Sequence, residues 1–150
     1  MLAKLWYRKY NIDMIILGID YGDARTGIAR VNTTCPIVTP VGTIKEKFIE
    51  NTAQRVAQVA RDEKAEKIVL GLPRNMDGSE GPRAEKTRYF GELLSQLLNL
   101  EIVFCDERLS SSYAHNIMNI TDTRGKKRKE SVDALAATII LQTYVDSLPR

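Results

Sequence analysis

Three short apolar runs limit what this chain can become: "MIILGID" (residues 14–20), "KIVLGLP" (67–73) and "EIVFC" (101–105). Runs with no polar alternation fit strands covered on both faces, which requires a sheet with helices packed on either side. The stretches between them agree. After the turn "YGDARTG", the segments "IARVN" and "IVTPVGTI" read with the first run as a meander of three antiparallel strands. Pro36 and Pro40 place the last of these at an edge, because proline cannot donate to a central ladder.

From Phe48 the period lengthens. Phe48, Ile49, Val56, Val59 and Ala60 are spaced to line one face of a helix, and Phe90, Leu93, Leu94, Leu97 and Leu98 line a second. A short helix is expected near the serines at 110–112, and a last one from about Ser131 to Ser147. Strands separated by helices imply right-handed crossovers and parallel pairing. The expected fold is therefore α/β: a five-stranded mixed sheet, three antiparallel strands then two parallel, with helices on both faces.

With 150 residues there is room for one substantial core. One domain is expected over residues 14–150, preceded by an N-terminal extension, 1–13, read as disordered; Met14 as the true start and a genuine basic extension both stand open. The composition, 27% charged and 43% hydrophobic, is that of a globular protein, and the chain has neither a signal pattern nor an apolar run of about 18 residues. A cytoplasmic protein with no membrane partner is expected, with Cys35 and Cys105 as free thiols.

Ligands in open α/β sheets gather at the carboxyl ends of the strands. Asp20 closes the first run, and Asp106 and Glu107 stand side by side after the last, where they are either solvated or arranged around a cation. On the last helix the inward stripe reads Val132, Leu135, Ala136, Ile139, Ile140 and Thr143, with Asp133 at its margin. An acid in a first turn also complements the helix dipole, so Asp133 has a structural explanation as well as a functional one. "RGKKRK" (124–129) carries five cations in six positions and suits a polyphosphate partner or a solvated loop. His115, the only histidine, reads as a surface or half-buried residue. "DYGDARTG" also has the Asp-x-Gly-x4-Gly spacing that resembles the phosphate loop of sugar kinases, but those enzymes close two large lobes, and one domain cannot.

In this order, "ILGIDYGDARTGIA", "IVLGLPRNMDGSEG", "VFCDERLSS" and "VDALAATIILQTYVD" resemble the YqgF family, also called RuvX or Holliday junction resolvases. The likeness runs from residue 14 to about 148. It implies a ribonuclease H-like fold and a metal-dependent phosphodiesterase, and bacterial members are linked to processing the 5′ end of precursor 16S ribosomal RNA. Position by position, the family's acids fall on Asp20, Glu107 and Asp133, its arginine on Arg25, and its "NMDG" loop on Asn75 and Gly78. Arg74 stands where the family pattern carries an apolar residue.

Such carboxylates suit Mg²⁺ or Mn²⁺, hard cations that take oxygen ligands. The resemblance thus implies Asp20, Glu107 and Asp133 as catalytic metal ligands, and the end of the most central strand suits Asp20 to the bridging role. Arg25, Arg83, Arg124, Lys126, Lys127, Arg128 and Lys129 are candidates for phosphate contact. The expected partner is nucleic acid, either precursor rRNA, with the assembling small ribosomal subunit, or branched DNA. Three readings stand: an rRNA-processing nuclease, a Holliday junction resolvase, and a non-catalytic nucleic-acid-binding factor. The expected state is a monomer or a weak homodimer.

Overall fold

A computed structural model describes residues 13–106 and 125–147. The first strand, β1 (Ile15–Asp20), pairs antiparallel with β2 (Arg25–Asn32), which pairs antiparallel with β3 (Cys35–Lys45). Helix α1 (Ile49–Asp62) leads to β4 (Lys67–Leu72), helix α2 (Pro82–Leu98) to β5 (Glu101–Asp106), and both strands join the other side of β1 in parallel. The spatial order is β3-β2-β1-β4-β5, so the first apolar run is central and the proline-bearing strand is at an edge, both as expected. The last described helix is α3 (Gly125–Ser147). No helix among the described residues is long and apolar enough to cross a membrane.

Side-chain alternation divides the core into two layers. Leu17, Ile19, Ile28, Ile68 and Leu70 pack against Ala53, Val56, Ala57 and Ala60 of α1 and Phe90 and Leu94 of α2. On the other face Ile16, Ala29, Val31 and Val69 pack against Ala137, Ile140, Leu141 and Val145 of α3. Alternation decides which face each end residue takes. Asp20 has the parity of Ile16 and falls on the α3 side, whereas Asp106 has the parity of Ile102 and Phe104, which pack on the α1 and α2 side.

Three sequence expectations are corrected. Phe48 does not line α1; it is the residue before the first turn, with its carbonyl accepting from the Thr52 backbone N–H at 2.9 Å and its side chain 67% exposed. The buried stripe of α3 is Ala136, Ala137, Ile140, Leu141 and Val145, and Thr143 is exposed. Because Ala, Leu and Ile surround this helix, period alone does not set its rotation; close approach to the sheet does. Finally, α3 begins at Gly125, so the backbone of the basic run from Lys126 to Lys129 is helical, not a loop. Lys and Arg are good helix formers and extend the helix ahead of its apolar stripe.

The close approach is made at two glycines of the α3 face. A Cβ on Gly18 would stand 2.6 Å from the Leu141 Cβ and 3.0 Å from the Ala137 carbonyl oxygen. A Cβ on Gly27 would overlap the Asp133 carbonyl. Helix α3 thus rests on bare backbone at both points and runs antiparallel to β1. Its far end is held by Tyr144, whose hydroxyl lies 3.4 Å from the Lys67 ammonium.

Candidate active site at the carboxyl edge of the sheet

Asp20 is the last residue of the central strand and pairs directly with Gly27. Opposed residues of an antiparallel pair have Cα atoms about 5 Å apart. Since the Asp133 main chain lies on Gly27, the two glycine-flanked contacts bring Asp133 beside the end of β1, on the face Asp20 shares. Arg25, two residues before Gly27 and on the same face, has its Nε 3.8 Å from Asp133 Oδ2, an ion pair too long for a hydrogen bond. Both side chains are about a quarter exposed (27% and 25%), while Asp133 Oδ2, the oxygen that faces Arg25, is itself buried.

Beside it, Tyr21 turns to the other face, where its ring stacks on Phe90 with centroids 4.4 Å apart. Burial pushes the Tyr21 phenol up, with Lys86 pulling the other way. A recess of about 200 Å³ opens there between the β1–β2 turn and the start of α2, lined by Tyr21, Gly22, Asp23, Arg83, Lys86 and Thr87. The Lys86 ammonium donates to Asp23 Oδ1 at 2.6 Å, and that hydrogen bond raises its pKa. Lys86 was not singled out from sequence; its signal is the i, i+3 spacing from Arg83 on the first turns of α2, which puts both cations on one helix face.

The loop after β4, residues 73–81, is closed by its own hydrogen bonds. The Asn75 N–H donates to the Ser79 carbonyl (2.8 Å) and the Gly78 N–H to the Asn75 carbonyl (2.9 Å), with Gly78 at φ 88°. Only glycine takes that conformation cheaply. Arg88 donates twice to the Glu80 carboxylate, at 2.7 and 2.8 Å, and Arg74 lies 3.8 Å from it. Arg74 therefore has a charged partner at the position where the resemblance called for an apolar residue. Arg88 holds the Glu80 carboxyl below the usual carboxylate range. The loop's order is therefore expected to fall as the pH drops through that lowered value, and Glu80→Gln should speed amide exchange at Gly78 and Ser79 at neutral pH with little change in Tm. Unchanged exchange would mean the fork does not hold the loop.

The described part of the site brings together Asp20, Asp133 and Arg25, with Arg83 at the neighbouring recess. Glu107, Arg124 and His115, the short helix near 110–112, and residues 1–12 of the extension lie outside the described residues, as do the side chains of Lys126, Lys127, Arg128 and Lys129. Among the described residues, which do not include Glu107, no group of three or more His, Cys, Asp or Glu side chains is placed to hold a metal ion. Cys105 and Cys35 are free thiols.

A central strand ending in an acid, a hairpin on one side, parallel crossovers on the other and a helix delivering a second acid define the ribonuclease H-like class. The same architecture is found in Thermus thermophilus RuvC in complex with a Holliday junction substrate, with a TM-score of 0.54 and 14% identity over 89% of this chain and 95% of that one. Fowlpox virus Holliday junction resolvase has a TM-score of 0.57 and 16% identity over 91% and 100% of the two chains. Residues 14–147 match the family described as RuvX, Holliday junction resolvase, and the chain belongs to that family. A relative from Caldanaerobacter subterraneus subsp. tengcongensis, named "Putative pre-16S rRNA nuclease", is 40% identical over 136 residues, 89% of this chain and 97% of its own.

Proposed function

We propose that this protein is a metal-dependent nuclease that hydrolyses phosphodiester bonds in the 5′-end processing of precursor 16S rRNA. The observation that carries the reading is the seat of Asp133 on Gly27, the strand partner of Asp20. The Asp133 main chain lies on the strand partner of Asp20, and this supports a site shared by a helix-borne and a strand-borne carboxylate. The name of the Caldanaerobacter relative supports the substrate.

The donor set fits a hard divalent cation in its chemistry: carboxylate oxygens carried by a strand and a helix. Asp20 and Asp133, joined by Glu107, would hold Mg²⁺ or Mn²⁺, which when bound supplies an activated water and stabilises charge at phosphorus. The chain's own residues do the rest. Arg25 lies beside Asp133, where its guanidinium both balances the carboxylate and can pair with a non-bridging phosphate oxygen. Arg83 and Lys86 face the adjoining recess and would grip a neighbouring phosphate, which positions the strand without reading its sequence.

The sequence carries five further cations, Arg124, Lys126, Lys127, Arg128 and Lys129, shortly before Asp133, and they are candidates for phosphate contact. Changing Lys126, Lys127 and Arg128 together to alanine should weaken RNA binding and reduce the slope of log affinity against log salt by about two. An unchanged slope would remove these residues from the interface.

A second reading, resolution of branched DNA, is favoured by the family description and by the fold shared with two resolvases. Resolvases cut two strands symmetrically and so act as two-fold dimers. The deciding experiment incubates end-labelled precursor 16S rRNA, and separately a four-way DNA junction, with wild type and Asp20→Asn in Mg²⁺, Mn²⁺ or EDTA. Metal-dependent RNA cleavage that the variant loses supports the processing nuclease. Paired symmetric nicks in the junction establish the resolvase instead, and binding without cutting of either substrate leaves a nucleic-acid-binding factor of the assembling small subunit.

A further inference from the structure

Arg25 and Asp133 face each other across the seam between β2 and α3, and their contact is incomplete. The Arg25 Nε stands 3.8 Å from Asp133 Oδ2, close enough for charge attraction and too far for a hydrogen bond. That oxygen is buried, while the arginine side chain is partly exposed and keeps a path to solvent. Taking a carboxylate oxygen out of water costs free energy unless positive charge stands by it, and the guanidinium meets that need with a charge it does not lose.

The two residues differ in what they can do next. The Asp133 main chain is seated on Gly27, so its carboxylate hangs from a fixed point. The Arg25 backbone is fixed as well: it opens β2, paired in register with Lys45 of β3, and a Cβ on Gly22 would overlap its carbonyl. What is left to move is the long arginine side chain. It ends in a fork of N–H donors that attracts Asp133 by charge and is not locked to it by direction.

We propose that Arg25 is a stand-in cation, which balances Asp133 while no divalent ion is bound and passes to a substrate phosphate as the site loads. The inference rests on the metal-dependent reading of this edge and adds to it the way its charges exchange. Arg25 and a divalent cation compete for one carboxylate, since a guanidinium and a doubly charged ion about 6 Å apart repel by roughly tenfold in affinity even at the dielectric of water. A phosphate that draws the guanidinium away relieves that repulsion. By reciprocity the substrate and the cation then tighten each other's binding, so the edge loads fully only when both are present.

The test is Mn²⁺ binding to the full chain without RNA, followed by the electron paramagnetic resonance of free Mn²⁺. Arg25→Gln and Arg25→Met, both uncharged, should bind Mn²⁺ about tenfold more tightly than wild type, and Arg25→Lys, which keeps the charge, should stay within about threefold of it. A saturating nucleoside 5′-monophosphate offers phosphate oxygens and has no phosphodiester bond to cut. It should tighten Mn²⁺ on wild type several-fold and on Arg25→Gln by less, after correction for Mn²⁺ held by the nucleotide alone. Equal Mn²⁺ affinity in wild type and the uncharged variants would overturn the exchange, and weaker affinity would make Arg25 a residue that only positions Asp133. The nucleotide arm needs no variant: wild-type Mn²⁺ affinity that ignores the nucleotide would overturn the exchange by itself. If the uncharged variants gain Mn²⁺ affinity yet wild type cuts neither precursor rRNA nor the junction, the nuclease falls and the exchange stands; if wild type cuts RNA and those variants gain nothing, the exchange falls and the nuclease stands.

Discussion

Asp20→Asn is expected to lower the rate of metal-dependent RNA cleavage by about a thousandfold at saturating substrate. The amide keeps the volume of the carboxylate and leaves the pairing of β1 with β2 intact, but it removes the negative charge that the proposed metal site needs from the end of β1. Loss of metal-borne charge stabilisation worth several kcal/mol corresponds to about that factor. Binding of uncut RNA should persist, because the cations beside Asp133 and in the recess are untouched. A variant that cuts within a few-fold of wild type would show that Asp20 is not a ligand, and the reading of the site would fail with it.

Asp20 was legible in the sequence because its signal is local: a carboxylate closing the most apolar run, at the end of a strand that must be central. Asp133 was legible less well. Its helix is apolar on several sides, and the sequence pattern placed it at the margin of the wrong stripe; the buried positions 136, 137, 140 and 141 put it on the line that continues towards the sheet. What set that rotation was the absence of side chains on Gly18 and Gly27, on strands that the sequence alone does not bring under α3. The Arg88–Glu80 fork was missed for a similar reason. An ion pair between a loop and a helix is a tertiary fact that leaves no period to count. The central place of β1 and the edge position of β3 were legible because apolar continuity and proline constrain hydrogen bonding directly.

Gly27→Ala is expected to destabilise the fold by about 2–3 kcal/mol, the upper part of the range for overpacking a core, because the colliding partner is main chain and cannot rotate away. In a domain of this size that is a fall in Tm of roughly 5–10 °C. The loss of cleavage should be larger than the loss of folded protein. The added methyl must lift the Asp133 segment off β2, and a misplacement of about 1 Å can cost a hundredfold in rate. Melting by calorimetry and single-turnover cleavage well below the lowered Tm separate the two effects. A Tm equal to wild type would mean that α3 does not rest on Gly27, while a lower Tm with full activity in the remaining folded fraction would mean that the seat does not place Asp133 for chemistry.

The two glycines also bear on how such a protein can diverge. Exposed positions late in α3, such as Thr143 and Asp146, can be exchanged at little cost to packing. Positions 18 and 27 carry no chemistry and still leave no space for an added carbon, because the helix fills it, with the Leu141 Cβ at Gly18 and the Asp133 main chain at Gly27. Inheritance of activity in this lineage is thus guarded by what those two residues lack, and a descendant that gained a single methyl at either point would have to reposition a whole helix to recover it.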